Sequence, residues 1–267
     1  MKKTITEKYL GRYLKNSPLG LAIWRAVEAR HLSEIKMKAP ILDIGCGFGE
    51  FAQAFVEDKI DVGVDINPRD LYIASKTNKF KNLLLADARD LPFPDNTFST
   101  IMSVSTFEHI KNPKKLLKEC NRVLKDGGIV VATIETDRVD KSTFFRPLFT
   151  KIGFPKAEKF LTKKYNSFFG RYVITDNKAW KRYFEDAGFK IERFENIVSP
   201  TATKLFDIFI ATSWPSQILK VFFGRRIVYR PQFINNFLVN YFKKYVDEDT
   251  DSGTNLLVVA RKPLRKD

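Results

Sequence analysis

Cysteine is nearly absent from this chain: Cys46 and Cys120 are the two among 267 residues, one beside glycines and one in a helical segment. That excludes a disulfide framework, and both are expected to be free thiols. Long apolar runs are also missing. The most apolar region, Leu205 to Phe223, is broken by Asp207, Thr212, Ser213, Pro215 and Lys220, so no bilayer-spanning helix of about 20 apolar residues is expected. The opening Met1-Lys-Lys-Thr-Ile-Thr-Glu-Lys8 has no apolar core ahead of a cleavage site. The expected location is therefore the cytoplasm, with a peripheral position on the inner face of the membrane as its variant. Acids are in deficit. Lys plus Arg total 46 against 31 Asp plus Glu, a formal charge of +15. Such a surface attracts polyanions, whether nucleic acid, an anionic bilayer or an acidic small molecule, and charge alone does not choose among them. Lysine richness is commonly a compositional bias, so nucleic acid is not the expected partner.

What the chain does have is Pro40-Ile-Leu-Asp-Ile-Gly-Cys-Gly-Phe-Gly-Glu50, an apolar run that ends in glycines at alternate positions. Ile41, Leu42 and Ile44 suit a buried parallel strand, while Gly45, Gly47 and Gly49 supply backbone conformations forbidden to side chains. Phe51 to Val56 resumes at helical spacing, so the loop opens a helix whose amide-rich end faces any ligand. Upstream, Tyr9, Leu10, Tyr13 and Leu14 share a helical face, and Ser17-Pro18 reads as a cap before a second helix reaching about Ile35. Trp24, Ala26, Val27 and Leu32 form its apolar side. Arg25, Glu28 and Arg30 are read either as a solvated face or as groups on a helix that closes over the ligand.

Downstream, strand and helix alternate. Asp61 to Asp65 is a second strand tipped by a carboxylate, and Asn67-Pro68 starts a helix. In open α/β sheets ligands lie at the carboxyl ends of strands, where Asp65 could accept from both hydroxyls of a ribose; capping the next helix is its alternative role. Leu83 to Leu85 is a third strand, with Asp87 just beyond it. Phe98 to Val104 is a fourth, Pro113 to Leu124 a helix that Lys125-Asp126-Gly127-Gly128 ends, and Ile129 to Ile134 a fifth strand.

Six segments in order then carry a family likeness: Leu-Asp-Ile-Gly-Cys-Gly-Phe-Gly (42 to 49), Val-Asp (64, 65), Ala-Asp-Ala (86 to 88), Leu-Pro-Phe-Pro-Asp-Asn-Thr-Phe (91 to 98), Phe-Glu-His (107 to 109) and Arg-Val-Leu-Lys-Asp-Gly-Gly (122 to 128). From about Pro40 to Glu135 the sequence resembles class I S-adenosylmethionine-dependent methyltransferases of the broad small-molecule type. The resemblance implies an α/β fold: a Rossmann-like, mostly parallel seven-stranded sheet with an antiparallel last strand and helices on both faces. It further implies S-adenosylmethionine as cofactor, leaving as S-adenosylhomocysteine. Gly45, Gly47 and the backbone of Cys46 would meet its methionine part, with Gly49 and Ile66 also at the cofactor. Asp43 would order the loop or reach the amino group, Asp65 would hold the ribose diol, Asp87 and Ala88 would meet adenine, and Ser103 would lie beside the amino-acid portion. A dinucleotide is the rival. Asp65 follows Gly45 at a spacing near that of nicotinamide-binding proteins, but one residue instead of two separates the second glycine from the third.

For chemistry, His109 is the candidate base, with a brace before Pro113 as the alternative role of Glu108-His109. Ubiquinone-biosynthesis O-methyltransferases, which the segment also resembles, have a Glu-x-x-Glu-His associated with metal. Ser105 stands at the first position here, so no metal is expected.

From Asp140 the family pattern thins. The expected division is an N-terminal helical cap (1–38), a core (39–139, 176–198 and 254–263), a lid (140–175) rich in aromatics and lysines, and an insertion (199–253) between the last two strands. Thr175-Asp176 caps a helix, Phe189 to Val198 is strand six and Asn255 to Arg261 the last. Within the insertion, Phe233, Ile234, Phe237, Leu238, Tyr241, Phe242 and Tyr245 form one helical face opposite Asn235, Asn236, Asn240 and Lys243. Across 200–245, Lys204, Lys220, Arg225, Arg226, Arg230, Lys243 and Lys244 oppose only Asp207. That composition suits a small or lipid-like acceptor with an anionic part, peripheral contact with an anionic membrane, or a cap packed on the core. RNA methylation and cofactor binding without catalysis are the alternative functions.

Overall fold

The computed structural model describes residues 4–210 and 230–264. The later part of the Leu205 to Phe223 run, with Lys220, Arg225 and Arg226, lies outside the described residues. Among those described, no helix is long and apolar enough to cross a membrane.

The alternation produces β1 (Ile41–Ile44), α3 (Glu50–Phe55), β2 (Ile60–Asp65), α4 (Pro68–Ser75), β3 (Phe80–Leu85), β4 (Phe98–Val104), α5 (Pro113–Val123) and β5 (Leu124–Glu135), preceded by α1 (Ile5–Asn16) and α2 (Leu19–Leu32). Then follow α6 (Arg138–Ser142), α7 (Phe145–Lys151), α8 (Pro155–Phe168), α9 (Asn177–Asp186), β6 (Lys190–Ile197), α10 (Pro200–Ile210), α11 (Gln232–Val246) and β7 (Asn255–Arg261). The seven strands form one sheet in the order β3-β2-β1-β4-β5-β7-β6. β1 pairs in parallel with β2 and β4, β2 with β3, and β4 with β5. The last strands run antiparallel, giving the Rossmann-like methyltransferase fold. The crossover between β1 and β4 matters most, because the strand order reverses there and a crevice opens at the carboxyl ends.

The chain divides into two compact units. One comprises Lys36–Thr136, Gly170–Glu195 and Leu256–Asp267, the other Met1–Ile35, Asp137–Phe169 and Asn196–Asn255. The first is built on the sheet, with Leu42, Ile44, Ile101, Val130, Leu116, Trp180 and Phe184 in its core. Arg122 ties down the segment after β3: its guanidinium donates to the carbonyls of Leu91 and Phe93 and pairs with Glu119 and Asp95. Lys125–Gly128 proves to be no helix-ending turn. β5 starts at Leu124, directly after α5, and its register with β4 passes from Phe98–Leu124 to Thr100–Ile129. The intervening residues bulge, with Gly127 at φ +77° donating to the Lys262 carbonyl, so pairing with the far strand overrides the local turn signal. β3 is an edge strand, longer than its three leucines suggested and exposed at Leu84 and Leu85.

The second unit departs further from the sequence reading. α1 buries Tyr9, Leu10, Tyr13 and Leu14 as expected. Pro18, not Ser17, is the N-cap of α2, while Ser17 closes α1 by donating its amide to the Tyr13 carbonyl. Glu28 is fully buried instead of solvated, pairing with Arg25 at 2.7 Å and accepting from the Asn255 amide at 3.2 Å. Arg146 is likewise buried, bound to Asp140 at 2.7 Å with its guanidinium over the Tyr165 ring. On α11 the aromatic face is divided: Phe233, Phe237 and Tyr241 are exposed and Phe242 is buried, while Asn235 from the opposite face and Val246 are buried as well. Close packing on α1, where Gly11 faces Val239, selects the narrower side of the helix.

Candidate active site

The glycine loop takes its shape from three left-handed residues, Gly45, Gly47 and Gly49, at φ +73°, +52° and +76°. Two of them are required for different reasons. A Cβ on Gly45 would fall 2.1 Å from Thr106 Cγ2, so β1 and the exit of β4 approach too closely for any side chain. A Cβ on Gly47 would meet no atom within 4 Å, which leaves bare main chain facing open space. Asp65 at the tip of β2 fastens the loop: Oδ2 accepts from the Gly47 amide at 2.8 Å and Oδ1 from the Asn67 amide at 2.9 Å. Asn67 in turn caps α4 through the amides of Arg69 and Asp70, so capping is its role and not that of Asp65.

Beside this loop opens a cavity of about 410 Å³, lined by Ile44, Gly45, Val64, Asp65, Ile66, Ala86, Asp87, Ala88, Arg89, Thr106, His109, Ile110, Lys111 and Tyr172. Of the residues named from sequence, Gly45, Asp65, Ile66, Asp87, Ala88 and His109 meet here. Asp43, Cys46, Gly47 and Gly49 shape the loop without lining the cavity. Ser103 does neither: it is fully buried in β4, and its hydroxyl donates to the Ile44 carbonyl at 2.9 Å, which bridges two strands. Thr106, three residues on, occupies the wall in its place. The reversal comes from Ser105, a non-glycine at φ +46°, whose amide donates to the Thr133 carbonyl at 2.8 Å and turns the chain out of the sheet. Arg89, Lys111 and Tyr172 were also missed. Only the position of Arg89, two residues past Asp87, offered a signal.

Electrostatics divide the cavity. Around the loop the charges are negative. Burial, and then the neighbouring Asp65, push the Asp43 carboxyl up to about 7. The Cys46 thiol is also raised, chiefly by burial and further by Asp43, Asp65 and Asp70, so it is an inert thiol in a negative field. At the far wall Arg89 grips Asp87, its Nη2 2.6 Å from Oδ2, and holds that carboxyl below the usual range. Lys111 Nζ stands 4.7 Å from the centre of the Tyr172 ring.

His109 and Glu108 have separate tasks. They sit in a single 3-10 turn, Phe107–His109. Glu108 is fully buried; its Oε1 accepts from the Glu135 amide, and its carbonyl accepts from the amides of Tyr172 and Val173. Burial, and then the nearby Glu135, raise its carboxyl well above the usual carboxylate range, and its contacts make it a brace. His109 reaches the cavity, with Nδ1 3.0 Å from the Gly170 carbonyl. A carbonyl only accepts, so Nδ1 carries the proton and Nε2 of the neutral ring keeps the lone pair.

Asp43 has a measurable consequence. In the unfolded chain an aspartate ionises near 3.9, whereas native Asp43 holds its proton to about 7. The stability this confers on the ligand-free protein is fully present below about pH 4 and lost as pH rises to about 7, an effect on the order of 4 kcal/mol. Thermal melts across that range are expected to show the decline in the wild type and a flatter profile in Asp43→Asn. Parallel profiles would refute the assignment.

A Rossmann-like sheet with a glycine-rich first junction and carboxylates near the next two strand tips is the α/β architecture in which ligands lie at the carboxyl ends of the strands. The comparisons narrow this. The Methyltransferase domain family matches residues 42–132. Demethylmenaquinone methyltransferase of Staphylococcus aureus (strain JH9) is 30% identical over 180 residues, covering 62% of this chain and 74% of that protein. Its counterpart in Tropheryma whipplei (strain Twist) is 31% identical over 145 residues, 53% of this chain and 60% of that protein. The first curated relatives are matched over only 58% to 60% of their own lengths. In structure, a SAM-dependent methyltransferase of Thermotoga maritima superposes with a TM-score of 0.57 at 20% identity, covering 97% of this chain and 98% of that one. The chain belongs to the class I S-adenosylmethionine-dependent methyltransferases.

Proposed function

We propose that the protein transfers a methyl group to a small or lipid-like acceptor, with S-adenosylmethionine as donor and His109 as the base. The observation that carries the reading is the meeting of Gly45, Asp65, Asp87 and His109 on one cavity. The residues present fit the donor. The open main chain at Gly47 admits a ligand, the acids around the loop favour a cation, and Asp65 and Asp87 offer acceptors for hydroxyl and amino groups. When bound, S-adenosylmethionine supplies an electrophilic methyl on a positively charged sulfur.

The chain's own groups supply the rest. Asp65 and the open loop main chain orient, Thr106 and Tyr172 enclose, and Nε2 of His109 takes a proton from an oxygen or nitrogen acceptor, while Nδ1–H stays on the Gly170 carbonyl. Relatives named for demethylmenaquinone methylation support a lipid-like acceptor. The test is incubation of the protein with methyl-labelled S-adenosylmethionine and separated lipid, small-molecule and RNA pools. Label is expected in the lipid or small-molecule pool. Label confined to RNA, or in no pool, overturns the reading.

A further inference from the structure

The unit containing α7 and α8, none of whose residues line the cavity, carries a second feature. The two helices form a hairpin whose turn presents apolar side chains to water: Ile152 is 56% exposed and Phe154 60%, with Phe160 on the next turn of α8 at 59%. Gly153 between them, at φ +87°, has nothing within 4 Å of the position a Cβ would take. A folded chain hides such groups when it can, and solvent-facing isoleucine and phenylalanine at a tip mark a surface that another phase covers.

The surrounding charge says which phase. Lys151 and Lys156 bracket the turn, and Lys159, Lys163 and Lys164 follow along α8, all exposed. The one acid between Phe144 and Phe169 is Glu158, whose carboxylate accepts from the Thr162 hydroxyl. No acid among the described residues pairs with any of the five lysines; Lys164 Nζ instead rests 5.6 Å from the Phe160 ring centre. We propose that the α7–α8 turn docks on an anionic lipid surface, with Ile152 and Phe154 entering the boundary of headgroups and acyl chains and the lysines meeting lipid phosphates. Apolar insertion and lysine attraction act together in such contacts, and long lysine stems reach headgroups while the tip lies deeper. RNA would answer the lysines but gives the exposed isoleucine no partner. The proposal does not depend on the donor or on His109, although a docked turn would bring an apolar acceptor near its enzyme.

The test is sedimentation of the full chain with vesicles of phosphatidylcholine alone and of phosphatidylcholine and phosphatidylglycerol in equal parts. Binding to the anionic vesicles is expected, with little to the neutral ones and release by high salt. I152D/F154D and K151E/K156E are each expected to weaken partitioning about tenfold or more, while S-adenosylhomocysteine binding by calorimetry stays unchanged. Equal partitioning on both vesicle types, or anionic binding unaltered in both variants, overturns the proposal. So does loss of methyl transfer to a soluble acceptor with vesicle binding intact, which would make the hairpin a lid.

Discussion

His109→Ala is expected to lower kcat by about 10²- to 10⁴-fold, roughly 3–5 kcal/mol of barrier, with KM for the donor little changed. The split follows from placement. The histidine is held by two bonds that have nothing to do with the loop: its amide donates to the Thr106 carbonyl at 2.9 Å, and its Nδ1 donates to the Gly170 carbonyl at 3.0 Å. Removing the ring therefore takes away the lone pair without touching the Gly47–Asp65 clasp. Steady-state kinetics with the acceptor that the labelling experiment identifies, together with S-adenosylhomocysteine titration, measure the two effects separately. Added imidazole should restore part of the rate by entering the space the ring vacates, which a merely structural histidine would not allow. A variant within threefold of wild-type kcat would place the base elsewhere or show that the acceptor needs none.

The parts of this molecule legible in its sequence are those fixed by local rules. Glycines at alternate positions predict left-handed backbone, and all three adopt it. Asn67-Pro68 predicts a cap with proline at the first turn, and Asp176 caps α9 through the Ala179 amide, as its spacing predicts. What was not legible depends on partners far along the chain. Ser103 and Thr106 are equally plausible hydroxyls near a strand end; only the twist at Ser105 sends one into the sheet and the other to the cavity. Lys125–Gly128 reads as a turn until Lys262 pairs with it. The apolar face of α11 leaves acceptor, membrane and core as its possible partners, and only its packing on α1 shows which side is buried. Glu28 reads as a solvated or ligand-facing charge because nothing nearby in sequence announces Asn255.

Asp65→Ala tests the other half of the site, and donor affinity is expected to fall about 100-fold, roughly 2–3 kcal/mol. Two losses add: the acceptor for the ligand's hydroxyls and the clasp that holds the Gly47 amide at 2.8 Å. Asp65→Asn keeps one carbonyl oxygen for one of the two amides, so an intermediate loss is expected. The same variants carry a second signature, because Asp65 is the charge that, after burial, raises Asp43. With that charge gone, Asp43 should ionise at lower pH, and the stability decline between about pH 4 and 7 should shrink in Asp65→Ala and Asp65→Asn alike. Calorimetric titration and pH-dependent melts thus report on one residue by independent routes. Unchanged affinity for S-adenosylhomocysteine in Asp65→Ala would refute the ribose assignment even if the melts shift, since the clasp and its field belong to the protein alone.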